Sequence, residues 1–141
     1  MRCIKDQRGS VPILFIGFIF FLLILTLLLL EMGAAYENFD NAEAILQRSC
    51  NSAVEKNIDD TYRADRVLLL DTAAAEADFR SYVASDMPDK YTISIHSITM
   101  NETPPAMTVT GTVTFSTLFD QFDIDDVTFR FEVSATNTRL E

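Results

Sequence analysis

Four aspartates crowd one stretch of this chain: Asp120, Asp123, Asp125 and Asp126. Clustered carboxylates on a loop suit calcium, a hard cation that takes oxygen ligands. The order lacks the Asp-x-Asp-x-Asp-Gly run and the closing glutamate of an EF-hand, so a solvated acidic hairpin loop is the favoured reading. Charges of that kind also discourage unwanted pairing at a sheet end. His96 is the only histidine in the chain and falls on the polar side of an alternating segment, the position of a surface histidine rather than a ligand. No Gly-x-Ser-x-Gly elbow, Cys-x-x-Cys pair or glycine-rich phosphate loop occurs, and the 4 glycines of the whole chain leave little room for one. The expectation is a protein with no catalytic residues, no cofactor and no resident metal, and not an enzyme.

Two cysteines remain. Cys3 precedes a long apolar run and Cys50 lies well beyond it, so a bilayer would hold them apart. Cys50 has two readings, a cross-link between copies in an oxidising compartment or, the favoured one, a small half-buried thiol on a helix. Threonines alternate with apolar residues near the C-terminus and offer an adhesive or glycan-modified surface; the simpler reading is the wet face of a sheet. Asn101-Glu102-Thr103 fits the acceptor pattern for N-glycosylation, which matters in a glycosylating secretory system.

What positions these residues is decided between Val11 and Leu30, where no charged residue occurs. As a helix this run spans roughly 30 Å, the thickness of a bilayer's hydrocarbon core. Inside lipid a lone segment satisfies its backbone only as a helix. Charge is divided around it. Arg2, Lys5 and Arg8 against Asp6 leave +2 in residues 1–10, whereas the other 8 basic and 20 acidic side chains leave −12 in residues 31–141. Basic flanks stay cytoplasmic, so the N-terminus is expected inside and the acidic part outside. An acidic domain without a basic stripe argues against nucleic acid. Gly33-Ala34-Ala35 is a tolerable signal-peptidase site, but the apolar run far exceeds the ~7–15 residues of a signal core, so a retained anchor is expected.

Ser10, Val11 and Pro12 begin the helix with a hydroxyl cap and a first-turn proline. Nothing stops it at Leu30, and Gly33 is its one weak point. Met32, Ala35, Phe39, Ala42, Leu46, Ser49 and Ala53 recur at intervals of three and four, widened by Ile45, which predicts one helix from about Ser10 to Glu55. Asp59-Asp60 marks a break within the polar stretch Asn57–Arg66, and Val67–Leu70 is a short apolar run able to dock on a core. Asp71 caps a second helix through about Ser85, with Ala75, Phe79, Tyr82 and Val83 inward and Glu76–Arg80 as an i,i+4 pair. From Tyr91 the period becomes two. Tyr91/Ile93/Ile95, Met107/Val109/Val113/Phe115 and Val127/Phe129/Phe131/Val133 predict three half-buried strands, joined by an Asn101–Pro105 turn and an Asp120–Asp126 loop into an antiparallel meander. The fold class is α+β. Its expected parts are a basic segment 1–10, a transmembrane helix 11–30, an amphipathic stem 31–56 and an extracytoplasmic domain 57–141.

Gln7-Arg8-Gly9-Ser10, an apolar run, and Glu31-Met32-Gly33-Ala34-Ala35-Tyr36 together resemble the start of TadE/TadG-like proteins, minor pilin-like components of tight-adherence, type IV-like pilus machinery. The resemblance covers roughly residues 5–55. It implies a single-pass, membrane-anchored structural subunit of a pilus or secretion assembly, partnered by the bilayer, by other pilin-like subunits or assembly proteins, and by further copies of itself. It also implies candidate processing between Gly9 and Ser10, although Leu14 stands where prepilin-type substrates usually carry a glutamate. Glu31, Met32, Ala35, Tyr36 and Phe39 are the candidate assembly residues. Glu31 either snorkels at the outer interface or pairs with Arg8 or the N-terminus of a neighbouring subunit. The alternative function is a membrane-tethered binding module unrelated to pili.

Overall fold

The computed structural model describes residues 10–59, 68–116 and 126–137. A first helix, α1, runs from Ser10 to Lys56, 47 residues without a break. It passes straight through Gly33, the expected weak point, where a Cβ would meet nothing within 4 Å. The chain divides into two compact units, one ending at Ala35 and the other running from Tyr36 to Glu141.

In the first unit the apolar side chains are bare; Phe15 is 63% and Leu29 61% exposed. Among the described residues this is the one helix long and apolar enough to cross a membrane. The single hydroxyl between Val11 and Leu30, Thr26 Oγ1, donates to the Leu22 carbonyl at 2.8 Å, so the apolar run carries no unsatisfied polar side chain.

Among the described residues the second unit contains the rest of α1 and six further elements. A two-stranded ribbon pairs β1 (Ile58–Asp59) with β2 (Leu69–Leu70). This ribbon was not expected from the polar stretch after α1. Two residues per strand carry too little alternation to be read, and pairing brings Leu68 and Leu70 into the core. Helix α2 spans Thr72–Asp86. Asp71 Oδ1 accepts the Ala74 N–H at 3.0 Å at its start, and the Met87 N–H closes onto the Val83 carbonyl at 3.1 Å just before Pro88 ends the run. The three long strands, β3 (Tyr91–Asn101), β4 (Ala106–Phe115) and β5 (Val127–Thr136), form an antiparallel sheet in the order β3-β4-β5. The α+β class and the meander stand as expected.

One face of this sheet is covered. Leu46, Cys50, Ala53 and Val54 of α1 and Ala75, Phe79 and Val83 of α2 share a buried cluster with Met107, Val109, Phe131, Val133 and Ala135. The α1 stripe holds from Phe39 onward, but Cys50 and Val54 belong to it as well, and Met32 at its near end is 56% exposed. In β3 the inward residues are Tyr91, Ile93 and Ile95, then Ile98 and Met100. The parity changes because the register slips between Ile95, opposite Gly111, and Ser97, opposite Thr110, leaving His96 as the extra residue of a β-bulge.

Candidate functional site

Among the described residues the expected sites do not gather into one place. Asp120, Asp123 and Asp125 lie outside the described residues, and Asp126 is exposed at the start of β5. Among the described residues no group of three His, Cys, Asp or Glu side chains is placed to hold a metal ion. Gly9 and Cys3 also lie outside the described residues, and Ser10 opens α1.

Cys50 is a correction. Its side chain is fully buried rather than half-buried, with Sγ 3.7 Å from the Met107 carbonyl, and burial pushes the thiol up to about 11. A thiol this protonated and enclosed cannot form a bridge between folded copies, because the thiolate is the reactive species.

His96 is exposed as expected, but its place on the bulge was missed. The sequence did carry the signal: the apolar residues of β3 sit at odd numbers up to Ile95 and at even numbers from Ile98. Around it, a shallow dent of about 520 Å³ is lined by Thr110, Glu132 and Arg130 among others. The outer face is otherwise a field of hydroxyls. Thr92, Thr114 and Thr128 align across the three strands, as do Ser97 and Thr110. They bond among themselves, Ser97 Oγ to Thr110 Oγ1 at 2.7 Å and Thr114 Oγ1 to Thr128 Oγ1 at 2.9 Å.

Of the candidate assembly residues, Glu31 and Ala35 are half-buried, Met32 is exposed, and Tyr36 and Phe39 turn to the sheet. The Phe39 ring lies 5.0 Å and the Tyr36 ring 6.1 Å from that of Phe129. Phe129 stacks on Phe115, which meets Tyr91 edge-on. Tyr36 nonetheless remains 58% exposed. Asn38 ties this end together, its Oδ1 accepting from Lys90 Nζ at 2.8 Å and from the Tyr91 hydroxyl at 3.1 Å. Nothing in the sequence around Asn38 announces that role.

Charged pairs mark the rest of the α1 flank. Arg48 meets Asp86 at 2.9 Å and Lys56 meets Asp78 at 2.9 Å, while Asn57 Nδ2 donates to the same Asp78 oxygen at 2.8 Å. The Asn57 and Lys56 donors hold the Asp78 carboxyl below the usual carboxylate range, and the Asp78 bond raises Lys56. The expected Glu76–Arg80 pair is present at 2.8 Å. Between α1 and the Pro88–Tyr91 segment lies a groove of about 500 Å³.

Comparison of the chain with protein-family models, with curated proteins and with solved structures returns no match.

Proposed function

We propose that this chain is a pilin-like, membrane-anchored structural subunit of a tight-adherence or type IV-like pilus or secretion assembly. The N-terminus lies in the cytoplasm and the β-sheet domain outside, as the +2 and −12 charge division supports. One observation carries the reading: α1 is bare and apolar in its first half and, without interruption, is the core helix of a folded domain in its second. A plain tether needs no such stem, and any flexible linker would serve it. One continuous helix carries both the apolar run and the residues that pack in the core of the sheet domain. The Gln7-Arg8-Gly9-Ser10 and Glu31–Tyr36 flanks support the same reading by resemblance. The hydroxyl field on the outer face of the sheet favours a second reading, a tethered module that engages a partner at the cell surface.

The test is recovery of the full chain from native membranes, with mass measurement of its mature N-terminus and of whatever co-purifies. A chain that starts at Ser10 or at Met1 and carries a polytopic platform protein or a secretion ATPase supports the proposal. A chain that starts at Tyr36 and is found free of membrane overturns it.

A further inference from the structure

We infer that the Tyr36 ring, backed by Phe129, is a docking surface for phospholipid headgroups that end in an ammonium, an inference that rests on the membrane-anchor reading above. Among the described residues of the second unit, Tyr36 is the one large apolar side chain left exposed, at 58%. Its ring lies 6.1 Å from that of Phe129, which in turn packs on Phe39 at 5.0 Å and on Phe115 at 5.7 Å. An apolar body held by other rings, with a polar tip, is the shape enriched where lipid meets water.

Its place in the chain says what covers it. On the anchor reading Val11–Leu30 fills the hydrocarbon core, and Tyr36 follows Leu30 on the same helix by six residues, about 9 Å of rise. The headgroup layer outside that core is roughly 5–8 Å deep. Helical side chains lean toward the N-terminus, here toward Leu30, so the ring falls within the layer. One charge, Glu31, occurs between Leu30 and Tyr36. Asp40 stands one turn beyond Tyr36 on the same face, and both Asp40 and the neighbouring Glu37 are exposed. An aromatic face with carboxylates beside it attracts an ammonium. The same carboxylates argue against a second copy here, since a self-contact sets acid against acid. Residues 31–141 carry 20 acids against 8 bases, so anionic headgroups are disfavoured as well.

The chain has no tryptophan, so Tyr36→Trp supplies a single fluorescent reporter. The full chain is reconstituted in phosphatidylcholine vesicles, with and without phosphatidylcholine that carries a nitroxide on its headgroup ammonium. Tyr82→Trp is the reference, because the Tyr82 ring lies beside Lys56 at the far end of α1. The nitroxide should lower the emission at position 36 at least twofold and leave the reference unchanged. Adding Glu37→Lys/Asp40→Lys should reduce that quenching, and quenching that ignores the reversal overturns the recognition of an ammonium. Where Tyr36→Trp does not fold, judged by its thermal melt, Phe129→Trp replaces it with the same expectation. A chain that floats with the vesicles but shows no quenching at position 36 overturns the inference and leaves the anchor reading standing. Shielding of position 36 from aqueous iodide without lipid quenching assigns the ring to a protein contact and overturns it too. A chain that does not float overturns both.

Discussion

Gly111 is the position where one added methyl group has the most to disturb. It sits in the middle of β4, opposite Ile95 of β3 and opposite Phe131 of β5. A Cβ at this position would fall 2.8 and 2.9 Å from two atoms of the Phe131 ring and would collide with the Ser94 carbonyl oxygen. The ring is the end of a side chain and can turn. The carbonyl cannot, because Ser94 is held in the ladder opposite Thr112. Overpacking of this kind costs about 1–3 kcal/mol. Replacing a strand glycine with alanine returns roughly 0.5–1 kcal/mol of backbone entropy. Because the collision is with backbone, the cost falls at the upper end, and Gly111→Ala should destabilise the domain by about 2 kcal/mol. For a domain of this size that lowers the melting temperature by roughly 8–16 °C. The assay is thermal unfolding of the full chain in detergent, followed by near-UV circular dichroism of the packed tyrosines and phenylalanines, because the apolar half of α1 dominates the far-UV signal. Gly33→Ala is the internal control, since its Cβ meets nothing within 4 Å. A melting temperature for Gly111→Ala within about 2 °C of wild type would refute the argument from close approach.

Ser49 Oγ is buried without a hydrogen-bond partner, so Ser49→Ala should raise stability by about 1 kcal/mol in urea unfolding; a destabilised variant would count against that accounting. In a Cys3→Ser background, Cys50 should resist an aqueous thiol reagent until denaturant opens the domain, since it is fully buried and its thiol is pushed up to about 11; rapid native labelling contradicts this. Asp78 is held below its ordinary 3.8 by Asn57 and Lys56. Its contribution is therefore complete above the unfolded value and is lost as pH falls through the folded one. The gap in urea midpoint between wild type and Asp78→Asn should stay constant above about pH 5 and shrink below it; a gap that widens in acid has the wrong sign. Leu23→Arg places a charge in mid-span at about 2.5–3.5 kcal/mol, so membrane recovery should fall sharply, and normal recovery would argue against the span.

Periodicity made the long elements legible because each spans many repeats. The α1 stripe from Phe39 to Ala53, the Asp71 cap, the Glu76–Arg80 pair and the meander are all local patterns whose cause lies within a few residues. What escaped depends on partners distant in sequence. The β1–β2 ribbon holds two residues per strand, too few for a period to show. The bulge at His96 was present as a change of parity in β3, yet only the opposing register of Gly111 and Thr110 gives that change its meaning. Asn38 receives its hydrogen bonds from residues 52 and 53 positions away, and nothing local distinguishes it from Asn41 one turn on. Cys50 was read as half-buried because a helix stripe reports direction but not depth.

Depth at Cys50 follows from how the stem meets the sheet. Beside Leu46 and Val54, the buried residues of α1 are small: Ala42, Ser49, Cys50 and Ala53. The sheet answers with larger side chains, Met107, Val109, Phe131 and Val133. Small residues on the helix let it settle close to the strands, near enough for Cys50 Sγ to reach the Met107 carbonyl and for Gln47 Nε2 to donate to the Ser134 carbonyl at 2.7 Å. The surroundings of the two parts of α1 differ. Large apolar residues fill its first half, whereas in its second half small buried residues alternate with Phe39, Leu46 and Val54, which pack with the sheet. Enlarging the small positions would push the stem off the sheet without adding anything to the span, so the two halves of one helix obey different packing rules.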